Sequence, residues 1–362
     1  MKVANRKEYL LTQKKKGKAI FGVFPAQYPK ELLWAMNIVP AEIWDPPLEI
    51  SGSNSHLQSY ICSIVRLGME LVLQGMCDFL DGFLFPHTCD SIQNMASVIN
   101  DYMGPSTPCY FFYHPKAPYW PGASRYYLAQ LKELLERLQN QLGPLDQKRL
   151  QEAIEASNRI SHLISQVYDQ RAKGNLNSTN REFYEIIRKG EYLLPKDLIP
   201  LLEQFIHEHM ISEPSAQIPV ILSGVLANPV ELLDKLEELD VRIVHDDLLN
   251  ASRRLLVPPL DTSMNPFEAL TQRYFAMLPC STKGSGIKQR ISFLIDLIQE
   301  TNAKGVIFNI VKFCEPEWFD VPNIQAGLKE RGIPSLVLDT EVNQGLSGQM
   351  VTRIEAFVEI LQ

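Results

Sequence analysis

Runs of apolar residues that end at proline, glycine or aspartate recur in the first and the last third of the chain. Continuous apolar runs of this length are typical of parallel strands that are buried on both faces. Amphipathic segments with a helical period separate them, which favours an alternation of strands and helices. The predicted strands are 19–24, 38–44, 82–85 and 109–113 in the first group, and 220–225, 241–244, 305–309 and 334–338 in the second.

Between the two groups of strands, the apolar residues follow the period of helices alone. A leucine stripe stops at Gly143–Pro144, and Asp146 is placed to cap the next helix. The stripe consists of Leu128, Leu131, Leu135, Leu138 and Leu142. We therefore predict a first α/β lobe over residues 1–122, a helical segment over 123–212 and a second α/β lobe over 213–362.

Length and charge narrow the class of protein. A chain of 362 residues exceeds one ordinary domain, and its formal net charge of −7 offers no basic surface to nucleic acid. No signal-peptide core follows residues 1–7, and no apolar run approaches the ~18 residues of a membrane span. We expect a cytoplasmic protein that binds neither nucleic acid nor a membrane.

The six cysteines include no C-x-x-C pair, and a chain without an export signal is not expected to carry a disulfide framework. Cys77 follows a predicted helix among apolar residues, and Cys109 lies within a predicted strand. Both are therefore expected in the core. Cys280 lies in a predicted loop, and its role stays open.

The other three cysteines fall at the edges of predicted elements. Cys89 and Cys314 each follow the third strand of their lobe and precede an acidic residue. Because ligands of open parallel sheets bind beyond the carboxyl ends of the strands, we expect both cysteines to face an interdomain cleft. Cys62 lies where a predicted helix begins, and the helix dipole is expected to lower the pKa of its thiol. Three such thiolates would suit an iron–sulfur cluster or zinc, and buried structural thiols are the alternative.

Five motifs, in the same order over nearly the whole chain, resemble the 2-hydroxyglutaryl-CoA dehydratase/benzoyl-CoA reductase subunit family. Three of them contain Cys62, Cys89 and Cys314. The motifs are Tyr60-Ile-Cys62, Pro86-His-Thr-Cys-Asp-Ser91, Pro279-Cys-Ser-Thr-Lys283, Lys312-Phe-Cys-Glu-Pro316 and the segment 348–357.

The resemblance implies an α/β fold of two flavodoxin-like lobes with mostly parallel four-stranded sheets, plus a helical segment. It implies an oxygen-sensitive [4Fe–4S] cluster held by Cys62, Cys89 and Cys314. The implied chemistry is low-potential one-electron reduction of an acyl-CoA thioester to a ketyl radical, leading to dehydration or ring reduction, with dehydration slightly favoured. The implied partners are an identical or paralogous subunit and a separate ATP-hydrolysing iron–sulfur activator.

Several alternatives stay open. The chain could be a non-catalytic two-lobed ligand-binding module, or a double-cubane-cluster reductase of small molecules from the same superfamily. Ala26 departs from the family pattern, because related substrate-binding chains often carry a hydroxyl residue there. The chain could therefore contact the substrate or only relay electrons. His87 is expected near the cluster. His245-Asp-Asp247 ends a predicted strand and could bind a cation, but a solvated strand end or a cap is the favoured interpretation.

Overall fold

The computed structural model describes residues 5–213 and 216–362. Residues 1–4, part of the stretch examined for a signal peptide, and residues 214–215, near the predicted start of the second lobe, lie outside the described residues. Eight strands lie in the described part of the chain, and each overlaps a predicted one. They are β1 (Ala19–Val23), β2 (Ile38–Glu42), β3 (Gly82–Pro86), β4 (Cys109–Phe112), β5 (Ile218–Gly224), β6 (Val241–Leu248), β7 (Gly305–Val311) and β8 (Ser335–Thr340).

The strands form two four-stranded sheets in which every pairing is parallel. Their orders are β2-β1-β3-β4 and β6-β5-β7-β8. In both sheets, the second strand along the chain lies on one side of the first strand and the third and fourth lie on the other side, as in flavodoxin-like folds. Such folds bind ligands beyond the carboxyl ends of the two strands between which the order changes side. The predicted fold class is confirmed, and both sheets are entirely parallel among the described strands.

Helices connect the strands and fill the middle of the chain. The first group is α1 (Arg6–Lys15), α2 (Lys30–Ala35), α3 (Ser63–Leu73), α4 (Asp90–Ser97), α5 (Ala123–Leu142), α6 (Gln147–Ala172), α7 (Asn180–Arg188) and α8 (Pro195–His209). The second group is α9 (Val230–Glu238), α10 (Ser252–Leu255), α11 (Pro266–Ala276), α12 (Ile287–Thr301), α13 (Glu315–Trp318), α14 (Val321–Lys329) and α15 (Gly348–Leu361). No helix in the described part of the chain has the length and apolar character needed to cross a membrane.

The chain divides into two compact units. The first comprises Met1–His162, Lys189–Leu201 and Val257–Met277, and contains the sheet of β1 to β4. The second comprises Leu163–Arg188, Leu202–Leu256 and Leu278–Gln362, and contains the sheet of β5 to β8. The three-segment division at 122/123 and 212/213 stays a prediction.

The predicted face of α5 is only partly correct. Its buried side chains include Tyr127 and Leu134, whereas Leu142, at the end of the predicted stripe, is 38% exposed. Tyr127 stacks on Tyr274 of α11 with ring centroids 4.3 Å apart. The buried face of α5 is therefore the one that carries Tyr127, not the one that carries Leu142. The predicted cap is confirmed, because the Asp146 carboxylate accepts the backbone N–H of Lys148 at 2.9 Å.

In the second unit, the pairing of β5 with β7 includes a close approach of the two backbones at Gly224. Gly224 ends β5 with φ of +148°, a conformation that L side chains rarely adopt. A Cβ at this position would lie 2.2 Å from the carbonyl oxygen of Asn309 in β7. Only glycine therefore permits this pairing at the carboxyl end of the sheet.

Candidate functional site

Cys62 and Cys89 occupy equivalent positions at the carboxyl edge of the first sheet. Cys62 is the N-cap residue of α3, and Cys89 is the N-cap residue of α4, just after β3. Cys62 is buried and Cys89 is partly buried. The backbone N–H groups in the first turn of each helix favour a thiolate at its cysteine, those of Ile64 and Val65 at Cys62 and those of Ser91 and Ile92 at Cys89. Neither cysteine side chain makes a capping hydrogen bond to its helix.

The expected depression of the Cys62 pKa is wrong. Burial, followed by the nearby Cys89 thiol, raises the pKa of Cys62 to about 12. Burial also raises the pKa of Cys89, against the N–H groups of its helix and the charge of Lys116. The helix N-termini favour the thiolates as expected, but desolvation outweighs them. A bound metal supplies the missing positive charge and deprotonates a thiol that coordinates it.

Thr88 joins Cys89 to the loop that follows β1. Its hydroxyl accepts the backbone N–H of Ala26 at 2.8 Å and donates to the carbonyl oxygen of Pro25 at 2.5 Å. The ammonium group of Lys116 donates to the carbonyl oxygen of Thr88 at 2.9 Å. Both contacts fix the backbone immediately before Cys89. A hydroxyl group therefore does lie at Ala26, but it belongs to Thr88 and donates within the loop.

His87 lies two residues before Cys89, as the sequence requires, and packs edge-on against Tyr113 with ring centroids 5.7 Å apart. Its Nε2 is 3.6 Å from a carboxylate oxygen of Asp90. Burial and the charge of Lys116 lower the pKa of His87. The described contacts of this ring are thus with Tyr113 and Asp90.

Cys314 has the corresponding position in the second unit. It is buried, follows β7, and is the N-cap residue of α13. The neighbouring Phe313 has φ of +62°, and Phe319 is 75% exposed. A groove of about 430 Å³ flanks the cysteine, lined by Lys312, Phe313, Glu315, Trp318, Phe319 and Asp339.

The remaining cysteines are buried, and none of the six, all of which lie in the described ranges, forms a disulfide bond. Cys77 and Cys109 are in the core, as predicted. Cys280 is completely buried, with its sulfur 3.1 Å from the Thr282 hydroxyl and 3.8 Å from Nη1 of Arg253. Cys280 lies in a loop, as predicted, and its side chain is part of a buried polar cluster.

The same cluster includes Asp247, from the segment His245-Asp-Asp247. Asp246 and Asp247 are buried within β6, so the interpretation of a solvated strand end is wrong. The strand continues to Leu248, which places both carboxylates inside the unit. Asp247 accepts hydrogen bonds from Nε of the buried Arg253 at 2.5 Å and from the hydroxyl of Ser223 at 2.8 Å.

The structure thus brings together two of the three predicted ligands within the first unit, and Cys314 belongs to the second. Among residues 5–213 and 216–362, no group of three or more His, Cys, Asp and Glu side chains has an arrangement that could hold a metal ion. The positions shared by Cys62, Cys89 and Cys314 are helix starts, and two of them follow the third strand of a sheet.

The sequence matches the family described as 2-hydroxyglutaryl-CoA dehydratase, D-component, over residues 25–361. The (R)-phenyllactyl-CoA dehydratase beta subunit of Clostridium sporogenes is 28% identical, with 99% of this chain and 96% of the relative covered. The beta subunit of lactoyl-CoA dehydratase from Anaerotignum propionicum is 26% identical, with 95% and 92% covered. A benzoyl-CoA reductase subunit from Thauera aromatica is 25% identical, with 90% and 86% covered. The chain therefore belongs to the 2-hydroxyglutaryl-CoA dehydratase D-component family, and it is a dehydratase or reductase subunit, as its motifs predicted.

Proposed function

We propose that this chain is the iron–sulfur subunit of an enzyme that carries out low-potential one-electron chemistry on an acyl-CoA thioester, and that Cys62, Cys89 and Cys314 hold its [4Fe–4S] cluster. The observation that carries this proposal is the family match over residues 25–361, which includes all three cysteines. The presence of each cysteine at a helix start supports the same assignment.

The donor set fits such a cluster. Cysteine thiolates are the usual ligands of [4Fe–4S] clusters, and N–H groups directed at the sulfur atoms tune the reduction potential. Cys62 and Cys89 supply two of these thiolates, and the N–H groups in the first turns of α3 and α4 favour negative charge on their sulfur atoms. A bound cluster would supply one-electron transfer, together with an iron that three cysteines leave open to a further ligand. This chain's contribution is to hold the thiolates, and burial at Cys62 excludes water from that ligand.

Dehydration is favoured over ring reduction as the reaction. Three relatives are named as dehydratase beta subunits, for phenyllactyl-CoA, lactoyl-CoA and 2-hydroxyglutaryl-CoA, whereas one is named as a benzoyl-CoA reductase subunit. All four names contain a CoA thioester, so we propose this substrate class and leave the acyl group open. The names also describe subunits, which supports pairing with an identical or paralogous chain.

We propose two further features of the working enzyme. An ATP-dependent iron–sulfur activator supplies the electron, and the complex works in the cytoplasm under anaerobic conditions. In an assay with acyl-CoA, the paired subunits should turn over only when activator and ATP are present. Full turnover by this chain alone, without either, would contradict the assignment.

The decisive experiment is purification under strict exclusion of oxygen, followed by assays for iron and acid-labile sulfide and by electron paramagnetic resonance of the reduced protein. We expect about four irons per chain, as one [4Fe–4S] cluster requires, and bleaching in air. A protein without iron would support the non-catalytic ligand-binding module. About eight irons per chain would support the double-cubane alternative.

A further inference from the structure

Helix α13, which begins at the proposed ligand Cys314, is too short to be stable by itself. It contains only Glu315–Trp318, whereas isolated helices in water need roughly 12–15 residues to be even marginally stable. Its surroundings are also exposed at Glu315 and Phe319. The direction of the Cys314 thiol must therefore be fixed by contacts from elsewhere in the second unit.

Glu317 provides those contacts. Its side chain is 1% exposed, and three donors from three different segments bind its carboxylate. Nη1 of Arg253, in α10, donates to Oε1, and Nη2 of Arg290, in α12, donates to Oε2 at 3.1 Å. The hydroxyl of Ser281, next to Cys280, donates to Oε1 at 2.7 Å. A carboxylate held from three sides leaves α13 little freedom to shift.

The two arginines are themselves fixed by further carboxylates. Asp247 binds Nε and Nη2 of Arg253 at 2.5 and 2.8 Å, and Asp320 binds Nη1 of Arg290 at 2.6 Å. Both guanidinium groups are buried. Because each buried charge in this network has a partner of opposite charge, removing one member leaves another charge buried without compensation, which is costly.

We propose that Glu317, held by Arg253, Arg290 and Ser281, is a positioning residue for the cluster ligand Cys314. This role rests on the proposed function, because it concerns how the second unit presents its thiolate. Cys280 contacts Nη1 of Arg253 and belongs to the same anchor, which gives this cysteine a structural role outside the ligand set. Groups that orient metal ligands typically contribute 10–100-fold to metal affinity.

The test compares Glu317→Gln, which keeps the shape but removes the charge, with the milder Ser281→Ala, which removes one donor. Arg171→Met is the matched control. Arg171 is an equally buried arginine of the same unit, but it binds Ser178, Asn180 and the carbonyl oxygen of Ile243, toward the other end of β6. The first readout is hydrogen exchange over residues 315–319 in iron-free protein. The second is the rate of iron loss to ferrozine without oxygen.

We expect Glu317→Gln to speed exchange in α13 about tenfold and iron release about 10–100-fold, with a several-fold effect for Ser281→Ala. Arg171→Met should lower the melting temperature and leave both rates as in the wild type. If Glu317→Gln does not fold, Ser281→Ala decides alone. Wild-type rates in Ser281→Ala and in any folded Glu317→Gln would overturn the positioning role only. A wild-type protein without iron would overturn the proposed function itself.

Discussion

The thiols of Cys62 and Cys89, which begin α3 and α4, lie close enough together for the two groups to interact electrostatically. After burial, Cys89 is the largest cause of the raised pKa of Cys62. Two soft donors are thus held next to each other at the carboxyl edge of one parallel sheet, where this fold class binds its ligands. The first prediction concerns this pair and the third cysteine.

Replacement of Cys62, Cys89 or Cys314 by serine should each remove most of the iron from anaerobically purified protein, because a cluster held by three thiolates loses a ligand. Cys77→Ser and Cys109→Ser are the matched controls, since both residues are buried cysteines of the first unit that do not begin a helix. Iron and acid-labile sulfide are measured for all five variants. Full iron content in the Cys62, Cys89 and Cys314 variants would refute the ligand assignment.

The second prediction concerns Thr88, whose hydroxyl holds the loop after β1 through Ala26 and Pro25. Thr88→Val keeps the shape of the side chain but leaves a buried N–H and a buried carbonyl group without this partner. We expect a loss of about 1–3 kcal/mol in the free energy of unfolding, measured by urea denaturation of the iron-free protein. The control is Thr12→Val, at an exposed threonine whose hydroxyl donates within its own helix. This variant should change the free energy of unfolding by less than about 0.5 kcal/mol.

The eight strands could be predicted because each is a continuous apolar run, a pattern that a strand buried on both faces imposes on sequence. The buried face of α5 could not be predicted, because leucines occur on two sides of that helix. Only the stacking of Tyr127 on Tyr274 shows which side is buried. The helix start at Cys62, and the positions of Cys89 and Cys314 after the third strands, followed from local sequence. Their pKa values did not, because burial depends on residues distant in the chain.

The buried ionic cluster around Glu317 had no visible sequence signal. Charged residues usually lie at the surface, and Asp247, Arg253, Arg290 and Glu317 are spread over α10, α12, α13 and β6. The Pro279-Cys-Ser-Thr-Lys283 motif drew attention to one part of this region, because its Ser281 binds Glu317 in the folded protein. The motif gave no indication of the ionic pairs. Pairing between distant charges is set by the fold and is not encoded in local spacing.

The third prediction concerns pH. Burial works to raise the pKa of Glu31, but Arg273 and Ser157 outweigh it, so the pKa lies below its ordinary value of 4.5. The ionised carboxylate therefore stabilises the folded state above pH 4.5, and this contribution is lost as the pH falls through the lower, folded-state pKa. Glu31→Gln should cost about 3 kcal/mol at pH 7.

The measurement is the free energy of unfolding of iron-free wild type and Glu31→Gln between pH 7 and pH 3. The difference between the two proteins should shrink as the pH falls below 4.5. Glu133→Gln, at an exposed position of α5, is the control and should follow the wild type throughout. A difference that is constant with pH would show that the charge of Glu31 does not contribute.

The last prediction concerns the role of this chain in the paired enzyme. The family resemblance implies that substrate-binding chains often carry a hydroxyl residue near position 26, whereas the methyl group of Ala26 cannot donate a hydrogen bond. The hydroxyl nearest in this loop, from Thr88, already donates to Pro25. Gln27 is the remaining side chain beside Ala26 with an amide donor, and it is 3% exposed. We therefore expect this chain to relay electrons, with the substrate on its partner.

Gln27→Leu separates the two roles. A donor to the thioester oxygen typically contributes about 10²–10³-fold to kcat, whereas a loop residue of a relay subunit should change kcat by less than about tenfold. The assay uses the complete paired enzyme with activator, ATP and acyl-CoA, at equal iron content for wild type and variant. Gln13→Leu, at a buried glutamine of α1 in the same unit, controls for loss of stability. A drop of 10²-fold or more in kcat with Gln27→Leu, while Gln13→Leu keeps the activity of the wild type, would assign the substrate site to this chain. A loss of that size matches the removal of a donor to the reacting thioester oxygen and exceeds what a loop residue of a relay subunit is expected to contribute.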